Sequence, residues 1–304
     1  MSIADEQRVS ASGATTAQSA SQPDAYSPQV IRKLNDLTSD FYAREATSFS
    51  ATRQAPWHGW ERVWKLITAH DAVQDPFPSH AAVRDSLSSH AARVPDDGAG
   101  DSGAPLTILD LGCGNLRFER FLAERTNAPL RVTALDNCPD LASPEIGALS
   151  AAFPHSLRSS SAASKTKEED ASGQGSNPPE KTIVDLRALD IVESLLDGTF
   201  ADRLPRNSHD LAVAFGLMHH LPTFALRARV LEGILGSLRP GGFAVVSFWQ
   251  FLNDPRLAAK AATVTAEGRA AHCLPTFHEN DFLLGWQHAE GVYRFCHHTP
   301  EDEI

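Results

Sequence analysis

The stretch ILDLGCGN (108–115) places an acid and two glycines directly after a short apolar run. The run LTILDL (106–111) is typical of a strand buried on both faces of a parallel sheet, and an amphipathic helix is predicted after it at 116–125. Gly112 and Gly114 have no Cβ, so the backbone can turn sharply there and a ligand can lie against it. The stretch therefore predicts a strand–turn–helix unit with a ligand at the turn.

The same alternation continues through the middle of the chain. Helical patterns such as TFALRARVLEGILGSL separate further apolar runs. Strands are predicted in LRVTALD (130–136), TIVDLRALD (182–190), the first part of HDLAVAFGLMHHL (209–221) and RPGGFAVVSFWQ (239–250). Strands that alternate with helices over 106–250 predict an α/β fold, a doubly wound Rossmann-like sheet with helices on both faces.

The rest of the chain divides into segments around this core. Three segments are predicted outside the packed structure: a disordered tail at 1–27, a loose connection at 71–103 and a low-complexity surface insertion at 159–181. Apolar residues at helical spacing predict two helices within 28–70, and 251–304 is assigned to the substrate side of the fold. Everything after the tail is assigned to one domain.

Composition excludes several classes of protein. The 304 residues carry a net charge of -11, which argues against binding nucleic acid through a positive field over the whole surface but leaves a local basic patch open. The four cysteines show neither a disulfide framework nor the C-x-x-C spacing of a zinc site, so we expect no metal. Without a signal peptide or an apolar run of about 20 residues, a soluble cytoplasmic protein is expected.

The residues of the glycine turn discriminate between nucleotide ligands. The dinucleotide fingerprint G-x-G-x-x-G requires a third glycine where this chain has Arg117, which disfavours NAD. Asp110 would be badly placed beside a pyrophosphate but well placed beside a cationic ligand. S-adenosylmethionine is a nucleoside with a sulfonium and an amino-acid tail, so it is the predicted cofactor.

Two further acids end the next two predicted strands. Asp136 can accept the hydroxyl groups of a ribose, and Asp190 with Ile191 can bind an adenine amino group and contact the ring. The alternative is that such acids only cap the helices that follow them, which is a common role for aspartate.

With LDLGCGN, ALD and RPGG in this order, residues 106–250 resemble the class I S-adenosylmethionine-dependent methyltransferases. A fold of that class continues after its fifth strand with a helix and an antiparallel pair, and we expect this chain to lack its last helix and strands. The resemblance implies cofactor contacts from the glycine turn, the strand ends and the loop after the fourth strand: Asp110, Gly112, Gly114, Asn115, Asp136, Asp190, Ile191, Phe215, Gly216 and Leu217.

A narrower resemblance involves YAREATSFSATRQAPW (42–57), which is similar to the N-terminal signature of the tRNA wobble-uridine carboxyl methyltransferases. MHHLPT, NDFLLGW and YRFCHHTPEDEI are similar to later segments of that family, although Gly285 replaces a usual proline and Phe295-Cys296 replace two tyrosines. The resemblance implies tRNA as a partner, the carboxylate of 5-carboxymethyluridine as the methyl acceptor, and a small zinc-binding activator protein.

Three side chains are the candidate catalytic residues. A carboxylate acceptor is already ionised, so it needs a cation rather than a base, and the fork of Arg53 matches its geometry. Tyr42 is expected to close over the cofactor. His220, favoured over His219, is expected to act as a base or as a hydrogen-bond donor. Arg53 could instead be a solvated residue at a helix end.

Other aromatic and basic residues have two interpretations each. Trp57 could stack on a base or pack a helix against the sheet. Arg294 and His297 could contact a polyanionic substrate or have only a structural role in a strand.

Two other functions are compatible with the sequence. One retains the cofactor but transfers the methyl group to a small molecule, for which an enclosed apolar pocket would be expected. The other is a non-catalytic homologue that acts as a binding partner.

Overall fold

The structure is a computed structural model that describes residues 26–68, 105–126, 128–142, 157–159, 182–287 and 289–304. The predicted loose connection at 71–103 lies outside the described residues, as does nearly all of the predicted tail and of the predicted insertion. No helix among the described residues is long and apolar enough to cross a membrane.

A six-stranded parallel sheet forms the centre of the protein. Its strands are β1 (Leu106–Leu111), β2 (Leu130–Asp136), β3 (Leu157–Ser159), β4 (Thr182–Ala188), β5 (His209–Ala214) and β6 (Leu238–Val246), in the order β3-β4-β2-β1-β5-β6. The chain order reverses direction across β1, as in a doubly wound sheet, so the predicted α/β class is confirmed. The short strand β3 was not predicted, and it includes Ser159 from the start of the predicted insertion.

Seven helices are described: α1 (Pro28–Ala51), α2 (His58–Thr68), α3 (Arg117–Ala123), α4 (Ile191–Leu196), α5 (Phe200–Arg203), α6 (Phe224–Ser237) and α7 (Pro255–His272). Side chains alternate along each strand and so point to both faces of the sheet. Helices pack against these side chains on each face. Ile108 of β1 packs in a cluster with residues of α2 and α3, whereas Leu109 packs in a cluster with residues of α1, α4 and α6. The two predicted N-terminal helices are confirmed as α1 and α2.

An antiparallel pair, β7 (Asp281–Leu284) and β8 (Arg294–His297), forms a separate small sheet. Among the described residues β6 pairs only with β5, so the parallel sheet ends there. The backbone N–H of Phe295 in β8 donates to Thr38 Oγ1 of α1 at 3.1 Å. Strand β8 therefore packs against α1, on the side of the sheet where the glycine turn opens.

Two residues that we assigned to the disordered tail are ordered. Ser27 caps α1, with its Oγ accepting the N–H of Val30. The hydroxyl of Tyr26 donates to Asp281 at 2.8 Å and accepts the backbone N–H of His278 at 3.0 Å. Burial of the Tyr26 ring and the two hydrogen bonds of its hydroxyl group offset the entropy lost when this part of the chain is ordered. The predicted disorder was therefore wrong at Tyr26 and Ser27.

Candidate functional site

One cavity of about 440 Å³ opens at the carboxyl ends of β1, β2, β4 and β5, beneath α1. This is the edge where an open parallel sheet binds ligands. All thirteen residues predicted to be catalytic or to bind the cofactor line it: Tyr42, Arg53, Asp110, Gly112, Gly114, Asn115, Asp136, Asp190, Ile191, Phe215, Gly216, Leu217 and His220. The structure brings these residues together; their roles remain predictions.

The glycine turn has the conformation that its sequence predicts. Gly112 and Gly114 have φ angles of 72° and 55°, in the left-handed region that favours glycine. A Cβ on Gly112 would lie 3.3 Å from Cβ of Leu217, so that side chain approaches the bare backbone closely. The Asn115 side chain donates to the backbone oxygen of Arg53 at 3.0 Å, which ties the turn to the segment after α1.

Asp136 holds the turn from the neighbouring strand. One carboxylate oxygen accepts the N–H of Gly114 at 2.8 Å, and the other accepts the N–H of Cys138 at 2.7 Å. Burial raises the pKa of Asp136, whereas these backbone N–H groups act in the opposite direction. Each oxygen keeps a second lone pair, so a ligand hydroxyl can still donate to this carboxylate.

Of the two strand-end acids Asp190 and Asp110, only Asp190 caps the helix that follows its strand. Asp190 caps α4, with one oxygen accepting the N–H of Glu193 at 2.9 Å and the other the amide of Asn35 at 2.8 Å. Helix α3 begins instead after Leu116, which makes no side-chain cap. Asp110 is therefore free of a capping role, and Asp190 combines capping with a position on the cavity wall.

Asp110 lies at the acidic end of the cavity beside a residue that the sequence did not indicate. It is only 2% exposed, and the carboxyl of Glu119 from α3 lies within hydrogen-bonding distance of it. Glu119 falls in a helix whose pattern predicts amphipathic packing, so nothing in its spacing distinguished it from a surface acid.

The part of the cavity lined by Arg53, Phe49, Trp249 and Arg294 is cationic and aromatic, and this part is the cationic end. Arg294 is 6% exposed, and its Nε and one terminal nitrogen have no acceptor in the part of the chain that the structure describes. Its guanidinium carbon lies 4.6 Å from the ring centroid of Phe41, and the rings of Phe49, Trp249 and Trp286 are all within 6 Å. It forms no ion pair with a described acid, so a buried positive charge here lacks a counter-ion.

Arg53 lies on the same side of the cavity. Its guanidinium carbon is 4.8 Å from the ring centroid of Phe49 and 5.3 Å from that of Trp286. Burial, and then the charge of Arg294, lower the pKa of Arg53. Arg53 is half-buried at the cavity rather than a fully solvated residue at a helix end.

Tyr42 and His220 form a hydrogen-bonded pair at this end. Nδ1 of His220 is 2.8 Å from the backbone oxygen of Phe295, which can only accept, so Nδ1 carries the proton. Burial, aided by the charge of Arg294, lowers the pKa of His220 to about 3. The ring is therefore neutral, and Nε2 carries a lone pair that can accept a hydrogen bond. The Tyr42 hydroxyl, 2.9 Å away, therefore donates to Nε2. In this arrangement His220 has no N–H left to donate to an acceptor.

A group of potential metal ligands lies next to this pair. The ligand atoms of His219, His220 and Cys296 all fall within 4.8 Å of one another. Burial raises the pKa of the Cys296 thiol to about 11 and lowers the pKa of both imidazoles, which the charge of Arg294 lowers further. Because that charge would repel a metal ion as it repels a proton, we interpret the group as part of the cavity wall.

Of three other predicted residues, Trp57 and Arg294 line the cavity and His297 does not. Trp57 lines the cavity and stacks on Trp60, with ring centroids 5.5 Å apart, so it has the packing role. Arg294 faces the cavity, as described above. His297 does not line it: its two nitrogens bond to Asp281 and Glu303 at 2.6 and 2.9 Å.

A polar stripe on α1, which was not predicted from the sequence, also lines the cavity. Asn35, Thr38 and Ser39 line the cavity together with Tyr42, at positions i, i+3, i+4 and i+7 of one helix. That spacing places them on one face. A polar face within an otherwise core-forming helix was the signal that could have identified them.

No protein-family model matches the chain. No curated protein matches it either. Solved structures with a similar fold include an S-adenosylmethionine-dependent methyltransferase from Methanosarcina mazei, 18% identical with a TM-score of 0.39, in which 65% of this chain aligns with 74% of that chain.

Two further solved structures are similar over most of this chain. A SAM-dependent methyltransferase from Aquifex aeolicus is 13% identical, with a TM-score of 0.28 over 73% of this chain and 72% of that one. A complex of the Haloferax volcanii Trm112 methyltransferase activator with a proposed methyltransferase is 14% identical, with a TM-score of 0.35 over 81% and 77%. At these values the function must be argued from the cavity itself.

Proposed function

We propose that the protein binds S-adenosylmethionine in this cavity and transfers its methyl group to a carboxylate on a modified wobble uridine of tRNA. The observation that carries the proposal is that buried acids and a buried arginine with unpaired N–H groups line the same cavity. Such a cavity is complementary to a cationic cofactor beside an anionic acceptor.

The acidic end favours this cofactor over a dinucleotide. Oδ1 of Asp110 is buried without a donor, and a cationic amino-acid tail would supply one. A pyrophosphate at the same point would face Asp110 and Asp136, which are both acids. Asp136 and Asp190 are the groups that would hold the ribose and the adenine amino group.

The histidines favour an acceptor that needs no deprotonation. Burial is the main cause that lowers the pKa of His220 to about 3 and that of His219 well below its usual value. Neither ring can therefore hold an abstracted proton near neutral pH. A carboxylate acceptor is ionised without a base, whereas an alcohol would need one.

Arg294 and Arg53 supply the counter-charge for that carboxylate. The free N–H groups of Arg294 are donors without acceptors, and a carboxylate can bind two of them in parallel. The rings around the buried guanidinium of Arg294 exclude water. S-adenosylmethionine provides an electrophilic methyl group on a sulfonium; the contribution of the protein is to align the acceptor for an in-line displacement and to keep water out.

The tRNA part of the proposal rests on the segment 42–57. Tyr42, Arg53 and Trp57, the residues that carry its resemblance to the tRNA enzymes, all line the same cavity. A separate activator protein is part of that resemblance. A small-molecule carboxylate is the second candidate acceptor, because the cationic end would bind either carboxylate.

Transfer of tritiated methyl groups from S-adenosylmethionine to tRNA tests the proposal. The tRNA should carry carboxymethyluridine, prepared by hydrolysing existing methyl esters with mild base. We expect incorporation that mild base releases as volatile methanol, which is diagnostic of an ester.

Raising the salt concentration should weaken tRNA binding steeply, because phosphate contacts release counterions.

Matched variants make this assay specific. Arg294→Met should strongly reduce incorporation at limiting tRNA, whereas Arg256→Met, at an arginine whose side chain is 89% exposed, should not. Base-stable label would contradict the carboxylate acceptor. Cofactor binding without any transfer to tRNA, together with ester formation on a small carboxylic acid, would favour the second candidate.

A further inference from the structure

Two carboxyl groups meet behind the glycine turn. Asp110 at the end of β1 is 2% exposed, and Glu119 in the first turn of α3 is 1% exposed. The two carboxyls lie within hydrogen-bonding distance of each other. Only Asp110 lines the cavity; Glu119 lies behind it.

Three carboxyl oxygens of the pair have no donor among the residues that the structure describes. Oδ1 of Asp110 and both oxygens of Glu119 lack a donor. The nearby titratable groups that act on the pair are themselves acidic: Asp136 from β2 adds negative charge, and the buried thiol of Cys113 in the turn has its own pKa raised by these carboxylates. Two carboxylates in such surroundings can form a hydrogen bond only if one of them is protonated.

The electrostatics agree with this geometry. Burial raises the pKa of Asp110 well above its usual value, and the charge of Glu119 raises it further. Burial also raises the pKa of Glu119, to about 7. Because the groups interact closely, the proton belongs to the pair rather than to either residue.

We propose that Asp110 and Glu119 share one proton while no cation is bound, and that the cationic end of the cofactor displaces this proton into solvent. The inference rests on the proposed function, since it takes S-adenosylmethionine as the ligand. A cation beside Asp110 stabilises the fully ionised pair, whereas without a cation one bound proton relieves the repulsion between the two carboxylates. Glu119 is then a positioning residue that couples cofactor affinity to pH without touching the cofactor.

Calorimetry measures the displaced proton directly. The heat of S-adenosylmethionine binding at pH 7 is compared in buffers of different ionisation enthalpy, and the slope gives the number of protons released. We expect a release of up to one proton for the wild type. Glu119→Gln keeps the shape and donates an N–H to Asp110, so it should bind the cofactor with little proton release.

The same variant separates this inference from the proposed function. Equal proton release by the wild type and Glu119→Gln, with cofactor bound to both, would overturn the inference alone. If folded wild type binds no S-adenosylmethionine, the proposed function fails. The shared proton is then still tested by stability.

Stability measures the shared proton in the absence of any ligand. An acid with a raised pKa in the folded state destabilises the fold as pH rises above its unfolded value, because the unfolded chain ionises first. Glu119→Gln should therefore gain melting temperature over wild type progressively from pH 5 to pH 7. The exposed Glu124→Gln in the same region should not. A difference that does not change with pH would overturn the shared proton.

Discussion

The hydroxyl of Tyr42 donates to Nε2 of His220 across 2.9 Å, because the other ring nitrogen is committed to the backbone oxygen of Phe295. This pair connects α1, the turn after β5 and β8 at the cationic end of the cavity. It fixes the histidine as a neutral acceptor and leaves the lone pairs of the Tyr42 oxygen for other donors.

Tyr42→Phe removes the donor and leaves Nε2 buried without a partner. The loss should cost about 1–3 kcal/mol of unfolding free energy. We also expect a lower rate of methyl transfer, since the wall of the acceptor site loses its fixed geometry. Tyr293→Phe, outside the cavity lining, is the control for thermal denaturation and activity. Equal losses in the two variants would contradict the role of the pair.

Arg294→Met should separate stability from function. A buried cation without a counter-ion is costly, so an apolar side chain of similar length should raise the melting temperature of the ligand-free protein. The same change removes the donors for the acceptor carboxylate, so KM for the acceptor should rise at least about tenfold, a loss in line with hydrogen bonds to charged groups. A destabilised variant with unchanged KM would refute the anion-site assignment.

The histidines predict a loss of stability on the acidic side. The unfolded pKa of histidine is about 6.5, whereas burial holds that of His220 near 3 in the folded protein. Below pH 6.5 the unfolded chain therefore binds more protons, and stability falls as pH decreases. His220→Gln should reduce this slope between pH 6.5 and 5 in melting experiments. The methyl-transfer rate should show no inflection from a histidine near pH 6.5.

Gly112→Ala tests the close approach at the turn. Alanine is strained at φ 72°, and its Cβ would lie 3.3 Å from that of Leu217. Gly198→Ala, at φ 80° with no atom within 4 Å, has the same kind of backbone strain, about 1 kcal/mol, without the contact. Only Gly112→Ala should also abolish binding of S-adenosylmethionine. Comparable binding by both variants would contradict a ligand lying against this turn.

The strand–turn–helix pattern was enough to predict the parallel sheet and the location of the cavity. Strand ends in such a sheet meet at one edge, so residues as distant in sequence as Asp110 and Phe215 could be placed together. Asp190 shows the limit of this reasoning, because capping and cavity-lining positions have the same sequence pattern.

The missed features depend on packing between distant segments. Glu119 differs from a surface acid only because α3 turns it toward Asp110. The environment of Arg294 requires α1 and β8 to meet, and no local periodicity encodes that contact. The ordered Tyr26 likewise depends on Asp281, which is 255 positions away.

Calorimetric titration with S-adenosylmethionine tests the central claim most directly. The comparison is between wild type and Asp110→Ala, with circular dichroism to show that both are folded, and with the exposed Asp202→Ala as control. We expect binding to wild type and Asp202→Ala and loss of binding in folded Asp110→Ala. Folded wild type that does not bind, or Asp110→Ala that binds as tightly as wild type, would contradict it.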